Sequence, residues 1–130
     1  MNYNKEEISK RFQEGRDLLN SAYYNEAIEI FTELINITDP LKADNSDARL
    51  TWHVSLNNRG VARCKIGYSS GDKPLYELGL EDYRTSVNYE QDEEKKYRMT
   101  ANSNLKYGEQ EIKDFDTHRG VNFRFFDNLD

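Results

Sequence analysis

The residues that could carry nucleophilic or acid–base chemistry are one cysteine, Cys64, and two histidines, His53 and His118. Nucleophilic catalysis needs a thiol or hydroxyl within hydrogen-bonding reach of a base. His53 and Cys64 lie on one predicted helix, about 16 Å apart along its axis, so they cannot form a catalytic pair. We interpret Cys64 as a small buried apolar residue, His53 as a residue at the surface or rim of its helix, and His118 as part of the C-terminal tail.

The sequence also contains no pattern typical of a metal site or a phosphate-binding loop. A metal site needs several His, Cys or carboxylate side chains that converge, whereas acidic runs such as 90–94 are typical of helix starts and solvated faces. The segment 67–71 is bounded by glycines but lacks the lysine and the serine or threonine that complete a phosphate-binding loop. Nothing singles out one acid–base pair among the 24 carboxylates. We therefore predict no enzymatic activity, no metal and no cofactor.

Composition narrows the class of protein further. The 130 residues suit a single domain, and their net charge is -6. Because affinity for phosphate backbones comes from clustered Lys and Arg, this charge argues against a general nucleic-acid binder and favours a basic partner. One cysteine excludes an internal disulfide framework. No apolar run approaches the roughly 20 residues of a membrane span, and the first ten residues lack the apolar core of a signal peptide, so we expect a cytoplasmic protein without membrane contacts.

The stretch 15–40 contains a pattern that recurs later in the chain. It reads as the end of one helix, a turn and a second helix. The first helix, over about residues 4–22, carries an apolar stripe at steps of four and three residues, at Ile8, Phe12, Gly15, Leu19 and Ala22. The second helix is predicted over about residues 25–37 with Asn25 as its N-cap. Its main apolar face comprises Ala27, Ile28, Phe31, Leu34 and Ile35.

The spacing of this stretch resembles that of a tetratricopeptide repeat at Gly15, Tyr24, Ala27, Phe31 and Pro40. The tryptophan, leucine and tyrosine that usually accompany the glycine are replaced here by Arg11, Glu14 and Leu18. The resemblance implies an all-α, right-handed superhelix of antiparallel helices. It also implies a scaffold that binds other proteins.

A second copy of the spacing appears when Gly60 is aligned on Gly15. Tyr76, Gly79 and Tyr83 then stand at the positions of Tyr24, Ala27 and Phe31. The second copy has about seven additional residues, which we place in a surface loop within 68–74 because glycine, serine and proline favour turns. Another loop is predicted over 38–47, and Ser46 or Asp47 could cap the helix that follows it.

These patterns predict about five helices in one domain over 1–115. Repeat one covers about 8–40, repeat two about 47–90, and a capping helix about 92–115, with Asp92 as its N-cap. The third helix, over about 47–66, has apolar residues on two sides and is expected to be central. Residues 116–130 form an irregular aromatic tail, in which Val121, Phe123 and Phe125 alternate with polar residues. We expect the tail to pack back on the capping helix. Two alternatives are that the tail lies in the groove of its own molecule or in the groove of a neighbouring molecule.

Tetratricopeptide proteins commonly bind a partner on the concave face of their first helices. The resemblance implies that the residues of this groove are Phe12, Arg16, Leu19, Asn20, Asn57, Asn58, Val61 and Lys65. Asn58 matches an asparagine of the subfamily that clamps the carboxylate of chaperone tails. The Lys and Arg pair that this subfamily carries on its fifth helix has no counterpart, so a chaperone clamp is disfavoured.

Two functions follow from these observations. The first is a small adaptor that holds a protein or peptide partner in the groove, either as a monomer or as a homodimer. The second is an acidic inhibitor, such as an immunity protein or antitoxin, that blocks a basic toxin or nuclease. Self-association through the aromatic tail is a third possibility.

Overall fold

The computed structural model of the protein describes residues 4–89, 95–113 and 115. Nearly all of these residues lie in five α-helices: α1 (Lys5–Asn20), α2 (Tyr24–Thr38), α3 (Ser46–Ser70), α4 (Lys73–Val87) and α5 (Lys95–Ile112). A short 3-10 helix, Asp39–Leu41, follows α2. Within these ranges no residue belongs to a β-strand, so the predicted all-α fold of about five helices is confirmed. The predicted tail 116–130 and the predicted cap Asp92 lie outside the described residues.

Three helices begin at a side-chain cap. The Oδ1 atom of Asn4 accepts a hydrogen bond from the backbone N–H of Glu7 at 3.2 Å, which satisfies one of the free donors at the start of α1. Asn45, rather than Ser46 or Asp47, caps α3 by accepting from the N–H of Ala48 at 3.0 Å. Asp72 caps α4 in the same way. These caps fix the residue at which each of the three helices begins.

The connection between α1 and α2 begins earlier than predicted, because α1 ends at Asn20 rather than near Ala22. α2 begins at Tyr24, one residue before the predicted cap Asn25, and the side chain of Tyr23 makes no capping hydrogen bond. Ala22 reverses the chain with a φ of 64°, in the left-handed region that residues with a Cβ rarely adopt. The N–H of Tyr23 then donates to the carbonyl of Leu18 at 2.8 Å. The turn therefore closes directly on the end of α1.

The predicted surface loop over 68–74 is wrong. α3 continues to Ser70 and α4 begins at Lys73, so only Gly71 and Asp72 connect them. Gly71 ends α3 with a φ of 75°, Asp72 caps α4, and Pro74 lies in the first turn of α4. The turn-forming residues thus act as helix caps, and the extra residues make the α3–α4 hairpin about one turn taller than the α1–α2 hairpin.

α3 is the central element, as predicted, because it contacts each of the other four helices. The main core gathers around it, and its largest fully buried apolar side chains are Phe31, Tyr68, Tyr76, Tyr83 and Phe115. A smaller cluster of Ile35, Trp52 and Leu56, with Tyr89 packed against it, lies near the start of α3. α5 packs on α4 and α3. Phe115, just after α5, places its ring against Tyr68 and Tyr76 at the top of the taller hairpin.

The two hairpins share one close contact between a glycine and an aromatic ring. A Cβ built on Gly15 would lie 2.9 Å from the ring of Phe31. A Cβ built on Gly60 would lie 2.6 Å from the ring of Tyr83. The alignment of Gly60 on Gly15 therefore pairs residues that make the same contact, and the absent side chain is what lets each second helix approach its first helix.

Candidate functional site

Half of the predicted groove residues lie inside the molecule. Leu19, Asn57, Asn58 and Val61 are buried, so they form no part of the accessible surface. Three of these four residues lie on α3, which contacts each of the other four helices. Its polar residues face neighbouring helices: the Nδ2 atom of Asn104 on α5 donates to Oδ1 of Asn57 at 3.0 Å. Asn57 thus has a structural partner in place of a ligand.

The other four predicted residues remain accessible to different degrees. Asn20 is exposed, and Phe12, Arg16 and Lys65 are half-buried. The ring of Phe12 packs edge-on against Phe31, with 5.7 Å between the ring centroids. We call the surface formed by Phe12, Arg16, Asn20 and Lys65 the α1–α3 face.

The helical register places both cations of this face between α1 and α3. Lys5 of α1 pairs with Asp47 of α3 at 3.6 Å, which shows which sides of the two helices face each other. Arg16 lies about three turns after Lys5, and Lys65 lies five turns after Asp47, so each points to the same side as its earlier neighbour. Because the two helices start side by side, Lys65 lies about 10 Å further along the pair than Arg16.

Arg16 has an unmet hydrogen-bonding capacity. Its Nε atom is buried and has no hydrogen-bond partner among the residues that the structure describes. Within the described part of the chain, Arg11, Arg59, Arg63 and Arg84 contact carboxylates. Arg49 donates to the carbonyl of Lys42 at 2.8 Å. Arg16 therefore differs from the other described arginines, and a buried guanidinium N–H without an acceptor is costly.

Lys65 is also without a carboxylate partner among the residues that the structure describes. Its Nζ atom lies 5.9 Å from the centroid of the Tyr24 ring, at the outer limit of a cation–π contact. That contact holds the ammonium group beside the start of α2. The α1–α3 face therefore combines a half-buried aromatic ring and an exposed amide with two cations that form no ion pair with a described residue.

A buried ionic cluster that the sequence did not indicate joins α2, α3 and α4. Arg59 binds Asp82 through two hydrogen bonds, Nε to Oδ2 at 3.0 Å and Nη2 to Oδ1 at 2.7 Å. Arg63 donates to the same carboxylate at 3.0 Å, and Nη1 of Arg59 donates to Oγ1 of Thr32 at 3.2 Å. Burial raises the pKa of the Asp82 carboxyl, and the two arginines oppose that shift. The spacing of Arg59 and Arg63 by one helical turn was the available signal.

Two of the three candidate catalytic residues, Cys64 and His53, are buried, and the third, His118, lies outside the described residues. Cys64 is buried, as predicted, and burial raises the pKa of its thiol. His53 is buried rather than at the rim, with its Nδ1 atom 2.7 Å from Oγ of Ser86 on α4. Among the described residues, no group of three or more His, Cys, Asp or Glu side chains could hold a metal ion. None of the described helices is long and apolar enough to cross a membrane.

No protein-family model, curated protein or solved structure matches the chain. The chemistry of the α1–α3 face is therefore inferred from its own residues. On the α1–α3 face these are hydrogen-bond donors and positive charges whose natural complement is a carboxylate.

Proposed function

We propose that the protein is a binding module of the tetratricopeptide type that holds an acidic peptide segment, or the carboxyl terminus of a partner protein, on the α1–α3 face. The observation that carries the proposal is the half-buried guanidinium of Arg16, whose Nε–H has no acceptor among the described residues. A carboxylate from a partner that binds the accessible side of the guanidinium would neutralise its charge.

The second cation defines how far a ligand would extend. Lys65 lies about 10 Å beyond Arg16 along the helix pair, which corresponds to about three residues of an extended peptide. A peptide with two carboxylates at that separation could contact both cations. Asn20, exposed at the end of α1, would offer hydrogen bonds to the peptide backbone, and the ring of Phe12 an apolar contact.

The tetratricopeptide assignment rests on the sequence spacing and is supported by the shared glycine–aromatic contact of the two hairpins. In such arrays the first helices of successive repeats lie side by side and offer a surface to extended ligands. The net charge of -6 favours a short acidic segment over a broadly acidic partner surface, because a large acidic surface would be repelled during approach.

A binding measurement with a peptide library tests the proposal. The library consists of labelled peptides of about eight residues with Asp or Glu at varied spacing, each made with a free and with an amidated carboxyl terminus. We expect some peptides to bind the full chain. Arg16→Gln and Lys65→Gln should each lower the affinity of these peptides about tenfold. Lys10→Gln is the matched control, because Lys10 is exposed on α1 and makes no ion pair with a described residue.

Two results would contradict the proposal. One is a library in which no peptide binds the full chain. The other is binding that Lys10→Gln weakens as much as Arg16→Gln does, which would show that only overall charge matters. A difference between the free and amidated series would identify a carboxyl terminus, rather than an internal acidic residue, as the ligand.

A further inference from the structure

A second surface, unrelated to the α1–α3 face, lies between α4 and α5. It is a groove of about 530 Å³ whose lining includes the apolar side chains of Leu78, Leu80 and Ile112. Leu78 is 51% exposed, which is high for a large apolar side chain in a helix. The groove therefore offers apolar surface that the described residues leave uncovered.

The polar lining of the groove is predominantly acidic. Glu77, Glu81 and Glu109 contribute carboxylates, and Arg84 is the cation among the lining residues. Arg84 is already engaged, because its Nη1 and Nη2 atoms lie 3.1 Å from Glu81 and 3.2 Å from Glu109. Glu77 makes no ion pair with any residue the structure describes. An occupant with positive charge would complement this lining.

The preceding junction of the fold indicates what shape of occupant fits. Aligning Gly60 on Gly15 places Arg84 at the position of Thr32, and each of these residues contacts the helix that follows its own. At the first junction, between α2 and α3, the next helix adds Asp82 beside the Thr32–Arg59 contact. At the second junction, between α4 and α5, no further helix is present within the described ranges. A helix is therefore the element that continues the packing.

We propose that the groove between α4 and α5 binds a basic amphipathic helix of a partner protein. The apolar side of that helix packs on Leu78 and Ile112, the accessible apolar residues of the lining. Lysine or arginine side chains at its flanks reach the carboxylates of Glu77, Glu81 and Glu109. This inference does not depend on the α1–α3 face, which complements the opposite charge.

The test uses the full chain and two labelled peptides of about fifteen residues, both with leucines at helical spacing. One peptide has lysine and the other has glutamate at the remaining positions. Fluorescence anisotropy should show binding of the lysine peptide, weakening with added salt, and no binding of the glutamate peptide. Leu78→Asp should lower the affinity for the lysine peptide about tenfold, even though the substitution adds a negative charge. Met99→Asp is the matched control, since Met99 is 60% exposed outside the groove.

Four outcomes would overturn the proposal. The first is no binding of the lysine peptide, and the second is equal binding by the Leu78→Asp and Met99→Asp proteins. The third is an affinity that rises about tenfold in a full chain carrying Phe123→Asp and Phe125→Asp, which would assign the groove to the C-terminal segment of the same chain. The fourth is a dimer in sedimentation that Leu78→Asp dissociates, which would assign it to a second copy.

Discussion

The ring of Tyr83 lies so close to Gly60 that a Cβ on Gly60 would be 2.6 Å from its Cε1 atom. The same Cβ would lie 2.9 Å from the backbone oxygen of Gly79, which cannot move without shifting α4. We expect Gly60→Ala to lower the free energy of unfolding by about 2 kcal/mol, because overpacking outweighs the better helix propensity of alanine.

Gly15→Ala is the matched comparison for that substitution. The atoms nearest to its added Cβ belong to the side chains of Phe31 and Ile30, which can adjust. We expect a loss of about 1 kcal/mol or less, measured by urea unfolding at equilibrium. Equal losses at the two glycines would contradict the view that the α3–α4 contact is the more rigid of the two.

The buried carboxylate of Asp82 provides a second prediction. Asp82→Asn leaves the half-buried Arg59 and Arg63 without this counter-charge, so we expect unfolding to become easier by about 2 kcal/mol. Glu109→Gln removes a carboxylate that pairs with Arg84 near the surface, and should cost about 0.5 kcal/mol. Urea unfolding of both variants distinguishes the two pairs. A similar small loss for both would mean that the buried cluster contributes little to joining α3 and α4.

A third prediction concerns alkaline pH. Burial raises the pKa of the Cys64 thiol and of the Tyr76 and Tyr83 hydroxyls. The unfolded chain therefore releases these protons at a lower pH than the folded chain does. Where the folded state binds more protons, stability falls as pH rises, by up to about 1.4 kcal/mol per pH unit for each group. We expect the free energy of unfolding to decline steadily above about pH 9.

Tyr83→Phe tests the assignment of that alkaline decline. The substitution removes one titrating hydroxyl and keeps the ring on Gly60, so the slope of stability against pH should become shallower even if the stability at neutral pH changes. Cys64 in the folded full chain should also resist a thiol reagent that labels it fully in urea. A slope that is unchanged in Tyr83→Phe would exclude Tyr83 as a contributor.

Two positive backbone angles give a paired prediction. Ala22 has a φ of 64° and Gly71 has a φ of 75°. Ala22→Gly should raise the free energy of unfolding by about 1 kcal/mol because it relieves strain, and Gly71→Ala should lower it by about the same amount. Thermal or urea unfolding of the two variants measures both signs. A loss of stability in Ala22→Gly would show that the flexibility of glycine in the unfolded chain dominates at that turn.

The helices were predictable from sequence because their apolar residues recur at helical spacing around a glycine and an aromatic residue. Gly15 with Phe31 and Gly60 with Tyr83 are the clearest cases. The connection after α3 was not predictable in the same way. Gly71, Asp72 and Pro74 are residue types that serve equally in a long loop and in two adjoining helix caps, and only the packing of the hairpin decides between them.

The candidate site was less predictable than the fold. Spacing assigned Arg16, Lys65, Asn57 and Asn58 alike to an accessible groove, but only Arg16 and Lys65 are accessible in part, and Asn57 and Asn58 are buried. Polar residues on a helix are usually solvated, so a sequence pattern gives no sign that four neighbours enclose α3. Asp82 was missed for the same reason, since its burial depends on two arginines from another helix.

The enclosure of α3 also limits how this chain could change over evolutionary time. Repeat arrays commonly grow or shrink by duplicating or deleting one unit, because each unit touches only its neighbours. Here removal of the α1–α2 hairpin would expose one side of α3, and removal of the α3–α4 hairpin would remove α3, which contacts all the other helices. Length variation among related chains is therefore expected after α5. The helices α1 to α4 should be kept or lost together.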